Sequence, residues 1–284
     1  MEMMSLLEVL QGAAEFLDRQ GVEQPRLNAE HLLAHVLRVK RLELYLQFDR
    51  PLGEKERAPL RDLVRKRGKG VPLQHLLETV EFCGRTFRCD ARALIPRPET
   101  EQLVERAMRY KTSSSHPRSI LDVATGSGII ALTLALEYPE AKITATDISK
   151  EALSLARENA LLLGVTSVQF FEADLLPPLQ EDGRFNLIIA NLPYITSAEI
   201  PTLSREVQFD PALALDGGGE GLDLIHRLIP LATTRLVPGG HLLLEIGKDQ
   251  DRQVIECLAR HNFSDILALP DYQGVLRFIE ASHG

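Results

Sequence analysis

Cysteine is scarce. Three occur in 284 residues, Cys83, Cys89 and Cys257, and no two form a Cys-x-x-Cys pair. A disulfide framework and a zinc site are thereby excluded, no metal is expected, and a reducing, cytoplasmic setting follows. Long apolar runs are also missing. None reaches the ~18 residues that a membrane span needs. The first ten residues hold Glu2 and Glu8 and no basic cluster, so neither a secretory leader nor a membrane contact is expected. Positive charge is in deficit, with a formal net charge of -8. That argues against stable binding to nucleic acid, which wants a basic face. No internal repeat or long low-complexity tract occurs.

What is present is an ordinary globular composition, 44% hydrophobic and 25% charged. The length suggests one large domain and a smaller one. Residues 1–75 read as helices. Leu6, Leu7, Leu10, Ala13, Ala14 and Leu17 recur at helical spacing up to Gly21. Asn28 is the expected N-cap of a helix over 29–37, and Pro59 is expected in the first turn of one over 60–67. Arg57, Arg61, Arg65, Lys66, Arg67 and Lys69 form a basic stretch interrupted by Asp62. It reads either as a solvated helix face or as a dock for an acidic partner. A β-hairpin connector is expected over 76–95, around Phe82, Gly84 and Phe87, then a helix over 99–110 and a surface loop over 111–118.

From residue 119 short apolar runs alternate with helical stretches. Strands are expected at 120–123, 142–146, 168–171, 185–190, 241–246 and 275–279. Helices are expected at 129–137, 152–163, 222–231 and 254–261. The fold class is therefore α/β, a mostly parallel sheet covered on both faces, with ligands at the carboxyl ends of the strands.

Three strand ends carry a candidate cofactor site. After the first strand comes Ala124-Thr125-Gly126-Ser127-Gly128, where glycines let the backbone approach a ligand. A tight turn without ligand remains the alternative. No Gly-Lys-Ser/Thr follows, so it is not a Walker A loop. Asp147 stands 19 residues after Gly128, near the ~20 expected of a carboxylate that binds ribose hydroxyls. It reads otherwise as a helix cap together with Ile148 and Ser149. After the third strand, Asp174 suits an exocyclic amino group and Leu175 an adenine face, or Asp174 is a turn aspartate. A nicotinamide dinucleotide would want a Gly-x-Gly-x-x-Gly run, which Ile129-Ile130-Ala131 does not continue. S-adenosyl-L-methionine needs these sites and no pyrophosphate cradle.

The fourth strand leads into Asn191-Leu192-Pro193-Tyr194. A carboxamide at a strand end, then a proline-stiffened turn and an aromatic ring, suits a planar NH2 group. Asn191 Oδ1 and the Leu192 carbonyl can each accept one N–H, and the Tyr194 ring can lie against the plane.

Four stretches resemble the protein-(glutamine-N5) methyltransferases that modify peptide chain release factors, the HemK or PrmC family. They are 72–84, the highly specific Leu94-Ile95-Pro96-Arg97-Pro98-Glu99-Thr100-Glu101, the cofactor segments 121–130 and 147–160, and 191–195 with 209–222. The resemblance implies a Rossmann-like, seven-stranded methyltransferase domain over 96–284. It implies S-adenosyl-L-methionine as methyl donor, S-adenosyl-L-homocysteine as product, and a class 1 release factor as protein substrate, modified at the glutamine of its Gly-Gly-Gln loop. The helical residues 1–75 then dock that partner, and a monomer is expected. Asn191, Leu192, Pro193 and Tyr194 become the catalytic residues, with Asn191 also reaching the cofactor. A ribosomal-protein glutamine methyltransferase and an adenine-N6 nucleic-acid methyltransferase share the tetrapeptide and stay as alternatives. The family usually has Gly at Ala124 and Glu78, Tyr at His75, Pro at Leu192 and Glu at Asp210. An ordinary φ is therefore expected at Ala124.

Overall fold

The computed structural model describes residues 3–112, 117–178 and 184–284. Residues 113–116, in the loop expected over 111–118, lie outside them. Two compact units emerge: Met1–Thr79 with Ser204–Phe209, and Val80–Leu203 with Asp210–Gly284.

The first unit contains β1 (Met4–Ser5), α1 (Leu6–Arg19), α2 (Pro25–Leu37), α3 (Arg41–Leu44), β2 (Pro51–Leu52), α4 (Glu54–Gly68) and α5 (Leu73–Leu77). Ser5 and Glu8 start α1 as a capping box: Glu8 N donates to Ser5 Oγ at 3.2 Å, and Ser5 N to the Glu8 carboxylate at 2.7 Å. The helical stripe read from sequence is buried, with Leu6, Leu10 and Leu17 packed against Leu32, Leu33, Leu44 and Leu52. Each such side chain contributes roughly 1.5–3 kcal/mol.

Two caps differ from expectation. α2 starts at Pro25, whose missing N–H costs nothing in the first turn. Asn28 therefore lies inside the helix, buried. Its Nδ2 donates to the Glu23 and Gln24 carbonyls, and its Oδ1 accepts from Arg67 Nε at 2.7 Å. α4 starts at Glu54, because the Glu56 carboxylate accepts from Gly53 N at 3.1 Å and sets the first turn there. Pro59 is thus interior and removes one helical hydrogen bond. The basic stretch also divides. Arg67 is 4% exposed and pairs with Glu206 on the returning 204–209 segment. Arg57 and Arg61 both reach Glu54.

A hairpin, β3 (Thr79–Phe82) and β4 (Arg85–Arg88), leads into the second unit at Val80, followed by α6 (Pro98–Met108) and a short 3-10 turn (Arg109–Thr112). There follow β5 (Ser119–Val123), α7 (Ile129–Glu137), β6 (Lys142–Asp147), α8 (Lys150–Leu163), β7 (Val168–Glu172), β8 (Phe185–Asn191), α9 (Asp223–Thr233), β9 (Leu236–Glu245), α10 (Asp251–Arg260), β10 (Phe263–Pro270) and β11 (Leu276–His283). Among the described residues β5–β11 form one seven-stranded sheet, ordered β10-β11-β9-β8-β5-β6-β7. β7, β6, β5, β8 and β9 run parallel, and β11 runs against its neighbours.

Side chains alternate across this sheet with the period of two that strands impose. Ile188, Ala190, Leu242 and Leu244 pack with Ile225, Leu228 and Val254 of α9 and α10. Leu187, Ile189 and Leu243 pack with Leu103, Ile130 and Leu134 of α6 and α7. Two strands differ from the sequence reading. β10 is an edge strand whose register shifts and positive φ at Asp265 break the alternation that sequence reading relies on. β9 begins at Leu236, and a register shift against β8 absorbs Pro238-Gly239-Gly240.

The order places the site. The chain builds outward from β5 through β6 to β7, then returns to the other side of β5 as β8. The carboxyl ends of β5 and β8 thus lie side by side at the point where the winding reverses, the natural ligand crevice of such sheets.

Candidate active site

The turn after β5 is built from its own backbone. Ala124, Gly126 and Gly128 all have positive φ, 57°, 56° and 82°. The expectation of an ordinary φ at Ala124 is overturned. Thr125 N donates to Thr146 O and Gly126 N to Asp147 Oδ2, each at 2.8 Å. Those bonds hold the turn in place whatever Ala124 prefers, and an alanine there carries strain of roughly 1–2 kcal/mol. Glu78, the other departure from Gly, also keeps a positive φ of 59°. At Gly128 an added Cβ would stand 3.0 Å from Ala156 Cβ, so α7 and α8 approach through the missing side chain. Beneath the turn, Asp122 is fully buried. Its Oδ2 accepts from Thr125 Oγ1 at 2.5 Å and Ala131 N at 3.0 Å. Burial pushes its carboxyl up to about 7 against those two bonds.

Asp147 ends β6. It accepts from Gly126 N through Oδ2 and from Ser149 N through Oδ1, both at 2.8 Å. Burial raises its pKa and these backbone donors oppose the rise. It does not cap α8; Ser149 does, accepting from Ala152 N at 3.1 Å. Ile148 beside it is an apolar residue left 53% exposed. Leu175 is buried, and its carbonyl accepts from Thr146 Oγ1 at 2.6 Å. Asp174 lies half exposed and ion-paired to Arg227 at 2.6 Å, a partner that sequence reading did not supply.

β8 ends at Asn191. Its Nδ2 donates to Thr100 Oγ1 at 3.1 Å, which leaves Oδ1 as the acceptor for an occupant of the cavity that Asn191 lines. Thr100 Oγ1 donates in turn to Glu245 Oε2 at 2.9 Å, and Tyr194 OH to Glu245 Oε1 at 3.4 Å. Glu245 is 1% exposed. Burial, then the nearby charge of Glu99, push its carboxyl up to about 7, while Thr100, Tyr194 and Arg277 oppose the shift. Burial also raises the Tyr194 hydroxyl, with Glu245 adding to it. Behind the tetrapeptide, Gln250 Nε2 donates to Tyr194 O at 2.9 Å. Gly221, at φ 72°, passes so close that an added Cβ would meet Tyr194 O at 2.3 Å. The specific segment 94–101 is tied down by Asp210, which accepts from Ile95 N at 3.1 Å and Arg97 Nη2 at 2.7 Å.

These pieces surround one cavity of about 320 Å³. Every residue expected from sequence lines it except Gly128, which sits behind the turn, and Tyr194, whose hydroxyl points back to Glu245. Thr100 also lines it, unforeseen. Residues 145 apart in sequence make the Thr100–Glu245 bond, so no local pattern could announce it. The lining has chemistry suited to S-adenosyl-L-methionine: a half-exposed apolar side chain at Ile148, carboxylates at Asp147 and Asp174, and a glycine turn open to close approach. Among the described residues no cluster suited to a metal ion occurs.

The chain matches the PrmC N-terminal domain over residues 8–77 and the methyltransferase small domain over residues 102–220. It is similar to the release factor glutamine methyltransferase of Geobacter sulfurreducens, 40% identical across 98% of this chain and 96% of that protein. That of Deinococcus radiodurans is 42% identical across 98% of each. Among solved structures, the hMettl16 catalytic domain in complex with a 3'UTR hairpin covers 78% of this chain and 82% of its own at TM-score 0.57 and 15% identity. A methyltransferase from Pyrococcus furiosus covers 70% and 88% at TM-score 0.51 and 18% identity. These two likenesses show the methyltransferase fold.

Proposed function

The chain belongs to the release factor glutamine methyltransferase family, and from that premise we propose that it methylates the side-chain nitrogen of the Gly-Gly-Gln glutamine of class 1 release factors. One observation carries the reading. Asn191 stands on the wall of the cofactor cavity with its Nδ2 already engaged by Thr100, so Oδ1 is the group left to hold an amide N–H.

When bound, S-adenosyl-L-methionine supplies an electrophilic methyl group. Asp147 would hold its ribose hydroxyls, Ile148 and Leu175 would flank its adenine, and Ala124 to Ser127 would bring the backbone against the rest. Asp174 would release Arg227 to hold the adenine amino group, at small cost because that ion pair is half exposed.

A glutamine amide is a weak nucleophile, since its nitrogen lone pair is delocalised into the carbonyl. Asn191 Oδ1 and the Leu192 carbonyl accept its two N–H groups and fix the nitrogen. Such positioning lowers a barrier by several kcal/mol, up to roughly 7–11. Both acceptors also favour the positive charge that develops on that nitrogen. The nitrogen becomes acidic as its new bond forms and releases a proton to water, so no histidine or carboxylate base is needed. Tyr194 supports the turn from behind, anchored through its hydroxyl to Glu245 and its carbonyl to Gln250.

The helical unit docks the release factor. It carries an apolar groove between α1 and α4, floored by Val9, Phe16, Leu60 and Val64 and edged by Arg19 and Arg65. That chemistry suits an acidic, partly apolar protein surface. The enzyme acts in the cytoplasm as a monomer, without stable nucleic-acid binding. The free thiols fit that setting; burial pushes Cys89 up to about 12, where it is inert.

The test is labelled-methyl transfer to a purified class 1 release factor, with mass spectrometry of the Gly-Gly-Gln peptide. A single added methyl on the glutamine is expected. Transfer to DNA or RNA instead, with the peptide unmodified, refutes the reading.

A further inference from the structure

The tetrapeptide and the 94–101 segment meet in a hydrogen-bond relay whose central bond, Thr100 to Glu245, the methyl-transfer reading leaves unused. Asn191 and Glu245 are register partners at the ends of the adjacent parallel strands β8 and β9. Thr100, in the first turn of α6, bridges them through one oxygen: it accepts from Asn191 Nδ2 at 3.1 Å and donates to Glu245 Oε2 at 2.9 Å. The second oxygen of Glu245 accepts from Tyr194 OH.

We infer that Thr100 and Glu245 are positioning residues, whose relay sets which end of the Asn191 amide faces the substrate. The inference rests on the glutamine-methylation reading for its consequence, but the orientation itself follows from the donor inventory. An ionised carboxylate only accepts. The Thr100 hydroxyl proton then points at Glu245, Thr100 has only lone pairs to offer Asn191, and Asn191 must turn Nδ2 toward it. Oδ1 is thereby presented to the cavity as an acceptor. A protonated Glu245 donates to Thr100 instead. The Thr100 proton then turns to Asn191, whose amide reverses and brings NH2 against the substrate NH2, donor against donor.

The charged and titratable groups around Glu245 are Glu99 on α6, Arg277 on β11 and Tyr194 after β8. Glu99 favours the proton and Arg277 disfavours it. Burial dominates and places the change near pH 7. Turnover therefore rises with pH through that point.

The test uses the full-length enzyme and release factor, with Thr100→Val, Thr100→Ser and Glu245→Gln. Thr100→Val keeps the shape and removes both bonds. Its kcat is expected to fall about 100-fold, the usual effect of one misplaced polar contact at the reacting group, with cofactor Kd changed less than about threefold. Thr100→Ser restores most of kcat. Glu245→Gln removes the rise near neutral pH. Proton–nitrogen correlation spectra of side-chain amides read Asn191 directly. Its signal shifts with pH in the wild type and loses that dependence in Thr100→Val. Wild-type kcat in Thr100→Val, or equal loss in Thr100→Ser while both stay folded by circular dichroism, overturns the relay. If the wild type methylates no glutamine, the functional reading falls, and the Asn191 signal still judges the relay.

Discussion

The two halves of the crevice are built by different means. On the β5–β6 side, backbone N–H groups do most of the donating over modest separations: Ser149 N to Asp147, two residues apart, Ala131 N to Asp122, nine apart, and Gly126 N to Asp147, 21 apart. On the β8–β9 side, they join side chains 91, 145 and 51 residues apart: Asn191 to Thr100, Thr100 to Glu245, and Tyr194 to Glu245. On the proposed reading the difference matches two tasks. A cofactor needs a cradle of fixed shape, which the turn's backbone N–H groups make against the end of β6. A poor nucleophile needs one acceptor aimed in one direction, and aiming takes restraints from several elements.

Breaking one half should spare the other. Asn191→Ala is expected to lower kcat by about 10²–10³-fold. Cofactor Kd, measured by titration calorimetry, should stay within a few fold, and an equal loss in Kd would merge the two halves. Asp147→Asn should act in the opposite sense. It replaces an acceptor of two backbone N–H groups, which on the proposed reading also accepts from the ribose hydroxyls, so cofactor Kd should weaken by about 10–100-fold, roughly 1.4–2.8 kcal/mol. The kcat at saturating cofactor should move little, and an unchanged Kd would remove Asp147 from the cofactor site. The smallest effect sharpens the picture of the turn itself. Ala124→Gly relieves a positive φ and should raise stability by about 1 kcal/mol, or a few degrees in Tm. A lower Tm in a thermal melt would show that Ala124 is unstrained.

Sequence reading carried far on the short-range half. The glycine turn, Asp147, Asp174 and Leu175 each follow an apolar run that ends as a strand, and all but Gly128 reach the cavity wall. It failed where a local preference was outvoted. Ala124 adopts a positive φ because the next two backbone N–H groups are bound, Thr125 N to Thr146 O and Gly126 N to Asp147 Oδ2. Asn28 gave up its cap for Arg67, and Arg67 left the basic face for Asn28 and Glu206. β10 escaped notice because an edge strand with register shifts has no clean period.

By itself the sequence determined the α/β class, the alternation of strands that ends in Asn191-Leu192-Pro193-Tyr194, and the chemistry each strand end offers. These depend on side-chain periodicity and on turn residues a few positions apart, which the chain specifies locally. Only the tertiary structure decided that Thr100 lies between Asn191 and Glu245, and that Tyr194 points its hydroxyl away from the cavity. Strand order brings β8 and β9 together with α6 across them, so the direction of the Asn191 amide is a property of the packed sheet.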